Sequence, residues 1–123
     1  MHEINYRFKF SAAHFLRDYE GICRNTHGHN WEVIVTLEGE ELTSNGMLID
    51  FYEVERVVKP VRDDLDHAFL NEIPPFTEIS PTSENLAKWI FDRIRPQIES
   101  DRVRLRQISV REYEDSLVTY RPS

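Results

Sequence analysis

The run Ile4-Asn5-Tyr6-Arg7-Phe8-Lys9-Phe10 alternates apolar and polar side chains, and this period of two marks a strand with one buried face. Trp31, Val33, Val35 and Leu37 repeat the pattern against Glu32 and Thr36, with Ile34 interrupting the polar face. The pattern then changes period. Asp50 followed by Glu53 is a helix start, and Val54, Val57, Val58, Val61 and Leu65 fall on one helical stripe. A second helix is predicted after Pro81, capped by Thr82 or Ser83, with Leu86, Ile90, Ile94 and Ile98 stacked at four-residue spacing. Pro60 and Pro96 predict a bend or a break in the two helices. Val103 to Tyr120 returns to strand composition, with a turn at Glu114 to Ser116.

The resulting order is ββααββ. Strands at both ends with helices between them predict an α+β fold, an antiparallel sheet with two helices covering one face. No repeat, low-complexity tract or internal boundary divides the chain, so residues 1–123 are expected to form a single domain.

Charge narrows the function classes. Twenty-two acidic against 15 basic residues give a formal charge of -7, which repels a phosphate backbone and argues against nucleic acid as a partner. Arg102, Arg104, Arg106 and Arg111 form a local basic stretch, the first three spaced to line one face of a strand. They read as a solvated edge or a subunit contact, or alternatively as a landing strip for a phosphorylated substrate. No apolar run suits a signal peptide or a membrane span, so the expected location is cytoplasmic and no membrane partner is expected. Cys23 is the single cysteine, which fits a reducing compartment. In a chain of 123 residues, a site that needs many walls is often completed by a neighbouring subunit, so oligomers are expected.

The chemistry-bearing residues gather between the first two strands. In an extended segment, residues two apart point the same way, so His27 and His29 can present both imidazoles to one ion across Gly28. His14, just beyond the first strand, can close a third corner. Three neutral imidazoles bind zinc and leave a fourth position open, as catalytic zinc sites do; ordinary polar loop histidines are the plainer reading. Cys23 is a small buried hydrophobe, a fourth zinc ligand, or a thiolate serving as base or nucleophile. Asp66-His67 is a helix C-terminal cap, or a carboxylate fixing the tautomer of a proton-shuttling imidazole. Glu112 is a surface residue, or a carboxylate that accepts two hydrogen bonds from a planar, amidine-like ring edge.

Several ordered motifs carry a resemblance over nearly the whole chain. They are Phe8-Lys9-Phe10-Ser11-Ala12-Ala13-His14, Cys23-Arg24-Asn25-Thr26-His27-Gly28-His29-Asn30-Trp31, Gly46-Met47-Leu48-Ile49-Asp50-Phe51, Leu65-Asp66-His67-Ala68-Phe69-Leu70-Asn71, Pro81-Thr82-Ser83-Glu84-Asn85, and Glu112. Together they resemble the 6-pyruvoyltetrahydropterin synthase family, and within it the bacterial branch that makes 6-carboxytetrahydropterin for queuosine.

That resemblance implies the tunnelling fold, in which ββααββ subunits join their sheets into a barrel, typically a homohexamer of two trimers with active sites at subunit interfaces. It implies Zn2+ held by His14, His27 and His29, Cys23 as catalytic thiol, and Asp66 with His67 as proton relay. It further implies Glu112 as pterin anchor, with Thr82, Ser83 and Glu84 lining the pterin pocket. The implied substrate is a reduced pterin, 7,8-dihydroneopterin triphosphate, converted to 6-carboxytetrahydropterin with release of acetaldehyde and triphosphate. Cys23 stands where folate-pathway relatives carry a glutamate. The alternatives are the sister reaction that gives 6-pyruvoyltetrahydropterin and, from another class, a non-catalytic binding module whose zinc is closed by Cys23.

Overall fold

A computed structural model describes residues 1–123. The alternating segments extend well beyond the predicted limits. Strand β1 runs His2–His14 and strand β2 runs His27–Gly39, paired antiparallel in unbroken register from His2 with Gly39 to His14 with His27. Helix α1 follows at Phe51–Leu65, and a two-residue strand β3 at Ala68–Phe69 lies parallel to Ala12 and Ala13 of β1. Helix α2 spans Ser83–Ile98, and strands β4 (Arg104–Tyr113) and β5 (Ser116–Tyr120) pair antiparallel, β4 also antiparallel to β2. The sheet order is β3-β1-β2-β4-β5. The four long strands are antiparallel as expected; β3, too short for any periodicity, makes the sheet mixed.

Caps and stripes set the helices. The Asp50 side chain accepts the Tyr52 N–H at 2.9 Å, and the Thr82 hydroxyl accepts the Asn85 N–H at 3.1 Å. Val54, Val57, Val58, Val61 and Leu65 are all buried on α1, as are Leu86, Ile90, Ile94 and Ile98 on α2. Neither proline ends its helix. Pro60 removes one hydrogen bond at a cost of roughly 3 kcal/mol. Burial of the five α1 side chains contributes roughly 1.5–3 kcal/mol each, so packing outweighs the defect. Pro60 and Arg56, whose carbonyl loses its partner, both lie exposed to water, as do Pro96 and Asp92 on α2.

The apolar face of the sheet, with Phe8, Phe10, Trp31, Val33, Val35, Leu37, Leu105, Ile108 and Val110, packs with the helices into one core. The opposite face is charged. Glu32 sits between Arg7 and Arg111, and Glu38 between Arg104 and Arg106. Arg102 departs from the strand-face expectation. It precedes β4, and its guanidinium donates to the carbonyls of Glu41 and Leu48. No helix is long and apolar enough to cross a membrane.

Candidate active site

The extended strands decide where the histidines stand. His14 closes β1 and His27 opens β2, so the two are register partners rather than loop residues, and His29 pairs with Ala12 one step inward. Directly paired and alternate residues share a face. All three imidazoles therefore lie on the core side, next to Trp31, whose ring centroid is 4.9 Å from that of His14 and 5.6 Å from that of His29. On β4, Val110 pairs with Val33, which carries Glu112 to the same end of the same face. One candidate ligand atom from each of His14, His27, His29 and Glu112 lies within 4.8 Å of the other three.

The hydrogen bonds orient this group. Nδ1 of His14 is 2.8 Å from the Pro81 carbonyl, and Nδ1 of His27 is 2.7 Å from the Asn25 carbonyl. A carbonyl only accepts, so both Nδ1 atoms carry hydrogen, and in the neutral rings Nε2 presents a lone pair. Nε2 of His14 is 3.0 Å from Oε1 of Glu112, Nε2 of His29 is 2.9 Å away and Nε2 of His27 is 4.0 Å away. The buried Nε2 atoms of His27 and His29 have no aligned hydrogen-bond partner. Lone pairs and a carboxylate oxygen converging in this way require a positive charge among them.

Burial lowers the His29 pKa despite the opposing pull of Glu112, favouring the neutral ring. Burial also pushes the Glu112 carboxyl up, but its contacts with His14, His29 and Ser83 together outweigh burial and hold it below the usual carboxylate value. Neutral imidazoles beside an ionised carboxylate are the donor set that a divalent metal takes. Backbone carbonyls fixing two imidazole tautomers are the outer shell such ligands need. Bonds of 2.0–2.1 Å would place tetrahedral ligand atoms roughly 3.3 Å apart, and the separations here, from 2.9 Å to at most 4.8 Å, bracket that spacing. The residues fit the metal.

The other expected site residues divide into two groups. Ser83, at the start of α2, donates its hydroxyl to Oε2 of Glu112 at 3.2 Å, and Thr82 caps the same helix, while Glu84 is exposed beside them. With one carboxylate oxygen at the histidines and the other on Ser83, Glu112 accepts from a ring edge only by releasing these partners. Cys23 is half-buried in a short 3₁₀ turn, its carbonyl accepting the Leu16 N–H at 2.8 Å, and it is not among the four clustered residues.

Asp66 and His67 stand apart from the cluster. Asp66 caps the C-terminus of α1, and its carboxylate accepts the Ser11 N–H at 2.9 Å, while the His67 N–H donates to the Ser11 carbonyl at 2.6 Å. The Ser11 hydrogen bond is the main reason that the Asp66 carboxyl lies below its usual range; the adjacent His67 adds to it. His67 has a left-handed backbone, φ 59°, and a side chain 84% exposed, with Nδ1 3.1 Å from Asp66. It borders an open hollow of about 430 Å³ lined by Ser11, Ala13, Gly28 and Asn30 and also by Ala12 and His29, so the hollow reaches one of the clustered histidines.

A residue outside the expected set also touches the site. The Tyr113 ring lies edge-on to His29, with centroids 4.7 Å apart. Adjacency to Glu112 was its only sequence signal, and strict strand alternation points it away from the site.

The fold and the site define a class, a small α+β chain with three histidines and one carboxylate gathered as a candidate metal site at one end of its sheet. A family model described as 6-pyruvoyl tetrahydropterin synthase matches residues 3–123. The chain belongs to the 6-pyruvoyl tetrahydropterin synthase family, a family of pterin-synthase enzymes. It is 33% identical to the 6-carboxy-5,6,7,8-tetrahydropterin synthase of Bacillus subtilis, over 98% of this chain and 85% of the relative. It is 38% identical to the dihydroneopterin monophosphate aldolase of Pyrococcus furiosus, over 87% of this chain and 86% of the relative. Among solved structures, the 6-pyruvoyl tetrahydropterin synthase of Caenorhabditis elegans superposes with a TM-score of 0.87 at 27% identity, covering 98% of this chain and 95% of that one.

Proposed function

We propose that this protein is a zinc-dependent lyase that converts 7,8-dihydroneopterin triphosphate to 6-carboxy-5,6,7,8-tetrahydropterin, releasing acetaldehyde and triphosphate, in the supply of queuosine. The observation that carries the reading is the convergence of His14, His27 and His29 around Glu112, with Nδ1 of His14 and of His27 committed to backbone carbonyls. Similarity to the Bacillus subtilis enzyme over nearly the whole chain supports the 6-carboxy product.

His14, His27 and His29 would hold the metal, with Glu112 as a fourth candidate ligand in the substrate-free protein. When bound, zinc supplies Lewis-acid polarisation of the substrate's side-chain hydroxyls. The chain's own groups move the protons. Cys23, the single thiol beside the site, acts as base when ionised and returns the proton as acid. Asp66 holds the His67 imidazole through Nδ1, leaving Nε2 to exchange a proton with the substrate or with water. His67 is largely exposed at an open hollow that His29 also borders, which supports a relay lent to a neighbouring copy in a homohexamer with sites at subunit interfaces. Thr82, Ser83 and Glu84 line the pterin pocket. Glu112 anchors the ring edge if it leaves Ser83 and the histidines; otherwise Glu84, the exposed carboxylate beside Ser83, takes that place. A soluble, cytoplasmic enzyme acting as one domain over 1–123 completes the reading, with Cys23 unpaired.

The test is incubation of the purified, zinc-loaded protein with 7,8-dihydroneopterin triphosphate and mass analysis of the products. 6-Carboxytetrahydropterin with acetaldehyde supports the proposal. 6-Pyruvoyltetrahydropterin moves the protein to the sister reaction, and no conversion of this compound or of the monophosphate overturns the lyase reading.

A further inference from the structure

The β1–β2 connection, residues 15–26, carries Cys23, and few bonds hold it. The backbone of residues 18–26 reaches the rest of the chain at two carbonyls. That of Cys23 accepts the Leu16 N–H at 2.8 Å, and that of Asn25 accepts from Nδ1 of His27 at 2.7 Å. Where Cys23 stands therefore follows from where Leu16 stands. Leu16 lies beyond the β1–β2 ladder, whose last pair is His14 with His27. Both of its neighbours are fixed by side chains from later in the chain. The Ser80 hydroxyl accepts the Arg17 N–H at 2.7 Å. Oδ1 of Asn71 accepts the Phe15 N–H at 2.9 Å, and Nδ2 of Asn71 donates to the Phe15 carbonyl at 3.2 Å.

The contact at Phe15 asks for one kind of side chain. A backbone N–H and C=O on one edge need an acceptor and a donor together, and a primary amide supplies both. Asn71 is buried, so a side chain without these groups would leave the Phe15 pair unmatched. The same edge of β1 is occupied upstream. Ser11 bonds Asp66 and His67 through its N–H and carbonyl, and β3 pairs with Ala12 and Ala13. β3 ends at Phe69, and the Asn71 amide carries the pairing on to Phe15 in place of a strand. One segment, 66–71, thus fixes Asp66 and His67 at Ser11 and the root of the Cys23 turn at Phe15.

We propose that Asn71 is a positioning residue. By holding the backbone of Phe15 it sets Leu16, and through Leu16 it sets the turn that carries Cys23. The inference deepens the reading of Cys23 as the working thiol and rests on it. His14 keeps its register pair and its Pro81 carbonyl without Asn71, so a freed turn lowers kcat and leaves KM and zinc content in place.

The experiment compares the zinc-loaded wild type with Asn71→Leu, which keeps the bulk of the side chain and removes both polar groups. Amide hydrogen exchange is read at Leu16 and at Val33 and Val35 of the buried strand β2, and iodoacetamide alkylation of Cys23, the single cysteine, is followed by mass. Loss of two hydrogen bonds opens the turn locally. Exchange at Leu16 rises about ten- to a hundredfold and alkylation rises with it, while Val33 and Val35 do not change. Asn71→Asp, which when ionised accepts the Phe15 N–H but cannot donate to the carbonyl, guards against a variant that does not fold and gives a smaller rise. A residue that merely stabilises the fold raises exchange equally at all three amides or leaves Leu16 as it was, and either result overturns the proposal. So does an unchanged kcat with 7,8-dihydroneopterin triphosphate in a variant whose turn has opened. A wild type that converts no pterin removes the lyase reading, and exchange and alkylation still decide whether Asn71 holds the turn.

Discussion

His14 and His27 are the last register pair of the β1–β2 ladder, and each commits Nδ1 to a backbone carbonyl so that both Nε2 atoms turn into the same space. One carbonyl, at Pro81, comes from the lead into α2; the other, at Asn25, lies two residues before the strand. A ligand pair placed by a strand end and two carbonyls is preorganised before any metal arrives.

That preorganisation predicts unequal effects of removing ligands. His27→Ala, at a partly exposed position, should lower zinc affinity by more than the roughly 10–100-fold that outer-shell changes cost, with a nearly normal melting temperature. His14→Ala should lose both metal and stability, because its side chain is only 1% exposed and leaves a cavity beside Trp31. Chelator competition and thermal unfolding read the two quantities separately. Equal zinc affinity in His27→Ala and the wild type would remove the metal assignment.

Glu112 is the residue for which two roles make different predictions. A fourth metal ligand predicts that Glu112→Gln lowers zinc affinity, by about tenfold for a charged ligand replaced with a neutral one. A ring-edge anchor predicts unchanged zinc and weakened pterin binding. From the 2.9–3.0 Å approaches to His29 and His14 and the bond from Ser83, we expect the first outcome. Calorimetric titrations with zinc and then with a reduced pterin separate the two.

Much of this arrangement was legible before the structure, and the missing parts share a cause. The α1 stripe of Val54, Val57, Val58, Val61 and Leu65 was read correctly because burial and helical period coincide there. The ends of β1 and β2 were not, because Ser11-Ala12-Ala13 lacks alternation and strand propensity, and pairing with β2 and β3 holds it extended. His14, His27 and His29 were recognised as a group, but their place in a ladder was hidden. The meeting of Glu112 with them depends on the pairing of Val110 with Val33, which no local period encodes. Tyr113 was missed because an irregularity reverses the face that alternation assigns to it.

Asp66 should leave a signature in the pH dependence of stability. Its carboxyl lies below the usual range because the folded protein gives it the Ser11 N–H and the neighbouring His67. A depressed folded value adds stability that is present above the unfolded value, about 3.9, and is lost as pH falls through the folded one. Asp66→Asn should therefore melt below the wild type at pH 7, with the gap closing as pH falls below the usual carboxylate range. A gap that persists unchanged at low pH would mean that the carboxylate's charge does no work at this helix end.

Cys23 separates the enzyme from the zinc-stabilised binding module. The four candidate ligand atoms that converge come from His14, His27, His29 and Glu112, and the thiol is not one of them. A structural site closed by Cys23 would make Cys23→Ala lose metal and fold together, since such metal binding is folding free energy. A thiol working beside the metal makes the same variant keep its zinc and its melting temperature while turnover falls by a factor of at least about 10² to 10⁴, the range that a positioned proton-transfer group supplies. Zinc content, thermal unfolding and product formation on one Cys23→Ala preparation decide between them. Retained metal with lost turnover assigns Cys23 to the chemistry, retained metal with full turnover removes it, and joint loss of metal and fold returns the protein to the binding-module class.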